Sequence, residues 1–142
     1  MRALEQIIDY QDYPVKAAEV STKRRRSLGI GYIGLAHYLA KNGVKYNEKG
    51  AWELVDRLSE AFQYYLLRAS CDIAEEKGKC SAFDRTKYAD GLLPIDHYKK
   101  EVDEIVVHKQ RMAWETLRKD ILKYGLRPVS YTHLRAHETE AY

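Results

Sequence analysis

Residues 51–77 read AWELVDRLSEAFQYYLLRASCDIAEEK, and their apolar spacing decides the fold class. Trp52, Val55, Leu58, Phe62, Tyr65, Ala69 and Ile73 step by three or four residues, the repeat that gathers side chains on one face of an α-helix. Gly78 follows directly and supplies the stop. At 1.5 Å rise per residue such a helix runs about 40 Å, longer than a compact small domain needs. A larger body around it is the expectation.

Toward the N-terminus, residues 33–42 carry a helical pattern that Asn42-Gly43 ends. Before it, Ser27 to Ile33 is a short, apolar, glycine-punctuated stretch, read as one buried strand or a strand-to-helix turn. Val15 to Arg25 fits a weakly amphipathic helix. Leu4, Ile7 and Ile8 mark a helix over Ala3 to Tyr10 that Asp12-Tyr13-Pro14 breaks. Toward the C-terminus, Lys79 to Asp96 reads as irregular, with Gly91 and Pro94. Trp114, Leu117, Ile121 and Leu122 then define a last amphipathic helix stopped at Gly125. The expected class is mainly α.

The chain has 142 residues, which suits one domain. Hydrophobic residues at 45% and charged residues at 32% argue against a disordered or fibrous class. No apolar run reaches the roughly 18 residues of a membrane helix, and Met1-Arg2-Ala3-Leu4-Glu5 lacks a signal-peptide core, so a cytoplasmic location is expected. Cys71 and Cys80 are too few for a disulfide framework and form no C-x-x-C pair, which points to reduced thiols. A net charge of +3 selects no class of partner.

Several features resemble chemistry and are weighed against plainer readings. Gly29-Ile30-Gly31-Tyr32-Ile33-Gly34 fits the G-x-G-x-x-G spacing that brings backbone amides to a pyrophosphate. A true fingerprint follows a run of strand residues, whereas Lys23-Arg24-Arg25-Arg26-Ser27 precedes this one, so we read it as a decoy. The basic run Lys23 to Arg26 could contact phosphates, which makes a small basic nucleic-acid-binding helical module the alternative function. With no second basic cluster and no recognition helix, a solvated charged turn is preferred and no nucleic acid is expected as partner. Tyrosines such as Tyr38, Tyr64 and Tyr65 sit at helical spacing beside aliphatics and read as packing. His37, His97 and His108 have no partner at metal-ligand spacing. His133 and His137 are spaced i, i+4, within the C-terminal tail at 129–142. No residue is assigned a catalytic, cofactor-binding or metal-binding role.

Between Asp9 and Arg127, ordered blocks carry a resemblance: Asp9-Tyr10-Gln11-Asp12-Tyr13-Pro14, Arg25-Arg26-Ser27-Leu28-Gly29-Ile30-Gly31, Tyr38-Leu39-Ala40-Lys41-Asn42-Gly43, and Gln63-Tyr64-Tyr65-Leu66-Leu67. Then come Glu76-Lys77-Gly78, Leu93-Pro94-Ile95-Asp96 with Tyr98-Lys99-Lys100, Trp114-Glu115 with Leu117-Arg118-Lys119-Asp120-Ile121, and Tyr124-Gly125-Leu126-Arg127. In this order they resemble the large (alpha, catalytic) subunit of class I ribonucleotide reductases, in particular the bacterial and phage type. Tyr32-Ile33-Gly34-Leu35-Ala36, a variable stretch in the family, and Ser81-Ala82, where bulkier residues are usual, depart from the pattern and blur the subclass.

The resemblance implies a partial barrel domain at residues 1–128. These residues would be outer helices, with one strand near Leu28 to Gly31, of an α/β ten-stranded barrel. For the complete family enzyme it implies reduction of ribonucleotides to deoxyribonucleotides for DNA synthesis by a thiyl radical, balanced by cysteine oxidation. ATP and deoxynucleotide effectors act on it, and a metal-containing small subunit supplies the radical. The implied partners are the remainder of the large subunit, that small subunit, thioredoxin or glutaredoxin, and ribonucleotide substrate; a membrane is not among them. The family's catalytic cysteines belong upstream of this segment and its phosphate loop downstream, and Cys71 and Cys80 match none of its redox cysteines. An internal fragment, inactive alone and without a cofactor of its own, is the expectation. Residues 129–142, beginning Val129-Ser130-Tyr131-Thr132-His133-Leu134-Arg135, resemble a translated transposase adapter and are read as an artefactual tail.

Overall fold

The long helix organises the chain. In a computed structural model, which describes residues 1–97, 99–104 and 109–128 and the backbone of 131–132, α4 spans Lys49–Lys77. Its 29 residues correspond to about 43 Å at 1.5 Å per residue. It ends as expected at Gly78, whose φ of +83° releases the chain while its N–H donates to the carbonyl of Ala74 at 2.8 Å. Three helices precede it: α1 (Arg2–Tyr10), α2 (Lys16–Arg25) and α3 (Leu35–Lys41), and α5 (Trp114–Tyr124) follows. The boundaries agree with the spacing of the apolar residues to within two positions. Asn42 stops α3 by donating its side-chain amide to the carbonyl of Tyr38 at 2.8 Å.

The stretch expected to be irregular folds into short 3₁₀ turns at Phe83–Arg85, Lys87–Asp90 and Pro94–Asp96, with a further one at Lys100–Glu104. The stretch read as a strand or a strand-to-helix turn resolves to β1, Leu28–Gly29. It pairs in parallel with β2, Tyr131–Thr132, in the register Leu28 to Tyr131 and Gly29 to Thr132. The mainly α expectation holds.

One core lies between α4, α5 and the turns. Leu67, Cys71, Cys80, Ala82, Phe83, Leu93, Trp114, Leu117, Ile121 and Leu126 form it, and each fully buried aliphatic or aromatic side chain contributes about 1.5–3 kcal/mol. Trp114, Leu117 and Ile121 are the stripe read for the last helix; Leu122 is 52% exposed and stands outside it. The Tyr64 ring meets Trp114 edge to face at 5.4 Å.

The face of α4 that is buried differs from the expected stripe. Of that stripe only Ile73 is buried, while Trp52 and Tyr65 are 41% and 62% exposed. The covered side instead carries Glu60, Leu67, Ser70, Cys71 and Ala74. Small side chains there let α5 and the turns approach closely, and polar ones are tolerated because each finds partners. On α1, likewise, Glu5 and Ile8 are buried but Leu4 and Ile7 are not. Gly125 marks the tightest backbone approach: its φ is +79°, and a Cβ built on it would lie 2.6 Å from the Cβ of Lys79.

Candidate functional site

The glycine-rich hexapeptide has no dinucleotide geometry. Its strand is two residues long, and the helix after it, α3, has seven. Between them Tyr32 turns back to set its ring edge-on to Phe62 at 5.3 Å, and Ile33 is 92% exposed.

The basic run divides. Lys23 donates to Glu19 at 2.8 Å, and Glu19, also bound by Lys16, has its carboxyl lowered to about 2, chiefly by the Lys16 hydrogen bond. Arg24 and Arg25 stay exposed beside an open groove on α2 lined also by Lys16, Val20 and Ser21. Arg26 turns inward and is 5% exposed. Two of the four cations are therefore engaged within the protein.

Arg26 belongs to the most buried charged cluster of the described residues, centred on Glu5, whose side chain has no exposure. The Arg26 Nη2 reaches Glu5 Oε1 at 2.6 Å and also donates to the Glu5 carbonyl at 2.9 Å. Its guanidinium further forms a two-pronged pair with Asp9, at 2.9 and 2.7 Å. Arg127 Nε donates to the same Glu5 Oε1 at 2.5 Å, and Lys77 Nζ to Oε2 at 3.3 Å. Arg127 Nη1 also bonds the carbonyls of Lys77 and Gly78 at the end of α4, each at 3.2 Å. Burial alone would raise the Glu5 carboxyl, but the hydrogen bonds from Arg127 and Lys77 and the charge of Arg26 hold it below its ordinary value. Asp9 is lowered mainly by its hydrogen bond from Arg26. Among the described residues, Arg26 is also the one non-glycine with positive φ, at +52°, a conformation costing on the order of 1 kcal/mol that its ion pairs offset.

A second acid works the same way between α4 and α5. Glu60 Oε1 accepts from the backbone N–H of Arg111 (2.7 Å) and Met112 (3.2 Å) and from Trp114 Nε1 (3.0 Å), while Oε2 takes Arg111 Nη1 at 3.2 Å. Burial pushes its carboxyl up, and these donors together bring it below the ordinary range. Arg68 pairs with Asp72 and Asp120, and Arg118 with Asp96 and Glu115, at the margins of the same helix pair.

Burial pushes the Cys71 thiol up to about 11 and raises Cys80 as well, so both stay protonated and poor nucleophiles at neutral pH. His37 and His97 are exposed, and among the described residues no three metal-ligating side chains converge. His108, His133 and His137 lie outside the described residues, as do 129–130 and 133–142 of the tail. Sequence reasoning assigned no role to Glu5, Arg26, Arg127 or Glu60. For Glu5 the signal was its spacing, three residues before Ile8 on one helical face, where a charge needs a partner. Among the described residues, no helix is long and apolar enough to cross a membrane.

Comparison with known proteins supplies the family. The family model for the ribonucleotide reductase barrel domain matches residues 1–135, running into the first seven residues of the tail set apart above. The ribonucleoside-diphosphate reductase subunit alpha of Haemophilus influenzae is 51% identical over 141 residues, 99% of this chain and 19% of that protein. The ribonucleoside-diphosphate reductase 1 subunit alpha of Escherichia coli is 46% identical over 134 residues, 94% and 18% respectively. The subunit alpha of Enterobacteria phage T4 is 38% identical over 141 residues, again 99% and 18%. The chain thus spans under a fifth of the length of these relatives. With the family model covering nearly all of it, the chain belongs to the ribonucleotide reductase barrel-domain family.

Proposed function

We propose that this chain is a structural part of a ribonucleoside-diphosphate reductase large subunit, packing helices and one strand around a catalytic barrel that other segments complete. The observation that carries this reading is identity of about half over nearly the whole chain to subunits of that name. The complete protein reduces ribonucleotides to deoxyribonucleotides under control of ATP and deoxynucleotide effectors. It takes its radical from a small subunit that holds a metal, and its electrons from thioredoxin or glutaredoxin, in the cytoplasm. The 142 residues alone have no reductase activity: their thiols are buried and protonated, and their buried acids are tied to arginines and backbone amides.

Reductase assays decide this. The complete large subunit, supplied with a small subunit, reductant and a ribonucleoside diphosphate, is expected to turn over, and the 142-residue chain under the same conditions is not. Turnover by the short chain, or none by the complete subunit, defeats the proposal. Residues 129–142 are part of the same reading as a translated adapter. Sequencing the source template through the codon for Arg127 without transposase adapters is expected to give a different continuation; the same codons would make the tail genuine.

A further inference from the structure

Glu5 joins two places far apart in the chain. Arg26 lies just before β1 and Arg127 just after α5, and both guanidinium groups end on the same oxygen, Oε1 of Glu5, at 2.6 and 2.5 Å. Each arginine is also fixed at its other contacts: Arg26 by Asp9 and the Glu5 carbonyl, Arg127 by the carbonyls that close α4. The Glu5 carboxylate is fully removed from water, so its position is set by these partners and theirs by it.

We propose that Glu5 is a positioning residue that couples Arg26 to Arg127 and so holds the backbone around these two arginines in a fixed relation. The geometry distinguishes it from its neighbours. Asp9 pairs with Arg26 and is not bonded to Arg127, and Lys77 reaches Glu5 from the more exposed side. A carboxylate lost at Asp9 frees one segment, whereas one lost at Glu5 frees two that are about a hundred residues apart.

Peptide-resolved hydrogen–deuterium exchange on the complete large subunit carrying this segment tests the coupling. Glu5→Gln is expected to speed exchange at least about tenfold both in Arg26–Gly31 and in Gly125–Arg127, because a broken buried pair opens both segments locally. Peptides around Leu67 and Leu117 should not change. Asp9→Asn should accelerate the first segment alone. Arg127→Lys keeps the charge but loses the planar fork, and should accelerate Arg26–Gly31 through the shared carboxylate; it decides the matter if Glu5→Gln does not fold. A response confined to one segment in Glu5→Gln, or Arg26–Gly31 unmoved in Arg127→Lys, overturns the proposal. Exchange is read without turnover, so the outcome is independent of whether the subunit proves to be a reductase.

Discussion

Replacing Glu60 by alanine removes the acceptor of three N–H groups and one guanidinium at the start of α5. The Trp114 indole N–H is the critical one, because that side chain is 2% exposed and water cannot replace the carboxylate there. A buried donor left without a partner costs about 1–3 kcal/mol, and the Arg111 and Met112 amides, only partly buried, add a smaller amount. The expected loss is about 3–4 kcal/mol, a substantial part of the 5–15 kcal/mol typical of a domain. For a chain of this size that lowers the Tm by roughly 10 °C. Glu60→Gln keeps one oxygen for the amides and the indole and loses the charge, so about 1–2 kcal/mol is expected. Thermal melts followed by tryptophan emission read both, since Trp114 is 2% and Trp52 41% exposed and unfolding changes chiefly the surroundings of Trp114. An alanine variant as stable as the parent, or a glutamine variant as damaged as alanine, would refute the account of Glu60 as a cap on α5.

Acid should destabilise the chain in a defined direction. Glu5, Asp9 and Glu60 are all held below their ordinary values in the folded state, so their contribution is complete above the ordinary carboxylate range of about 4 and is lost as pH falls through the lowered values. Melts between pH 7 and 3 should show a flat region and then a steep decline, which Glu5→Gln should flatten. Gly125→Ala combines a positive φ with a Cβ driven into Lys79, and a loss of at least about 2 kcal/mol in chemical unfolding is expected. Cys71 and Cys80 should resist an aromatic disulfide reagent at neutral pH until denaturant is added, and rapid native labelling would contradict their burial.

The helices were legible because period and punctuation agree. Residues 51–77 repeat apolar side chains at helical spacing, and Gly78 and Gly125 stop α4 and α5 where the pattern ends. Burial was less legible. Trp52 and Tyr65 belong to the apolar stripe yet stay exposed, whereas Ser70 and Glu60 go inside because partners distant in sequence satisfy them. Spacing cannot tell which of two faces meets a neighbour. The same limit hid the ion cluster: Arg26 read as one of four basic residues on a surface turn, and its direction is fixed by Glu5, Asp9 and a left-handed backbone. The ordered blocks located the family because they sample the whole fold and not one site.

Ser70 stands in for a strand. Its hydroxyl takes the N–H of Arg127 at 3.2 Å and gives its proton to the carbonyl of Pro128 at 2.7 Å, so a helix side chain holds backbone that a neighbouring strand would otherwise hold. Ser70 is fully buried, so both hydrogen-bonding roles of its hydroxyl are taken up by one strip of backbone. The side chain acts as a rivet: alanine there would release an amide and a carbonyl at once, with no water at hand to replace either.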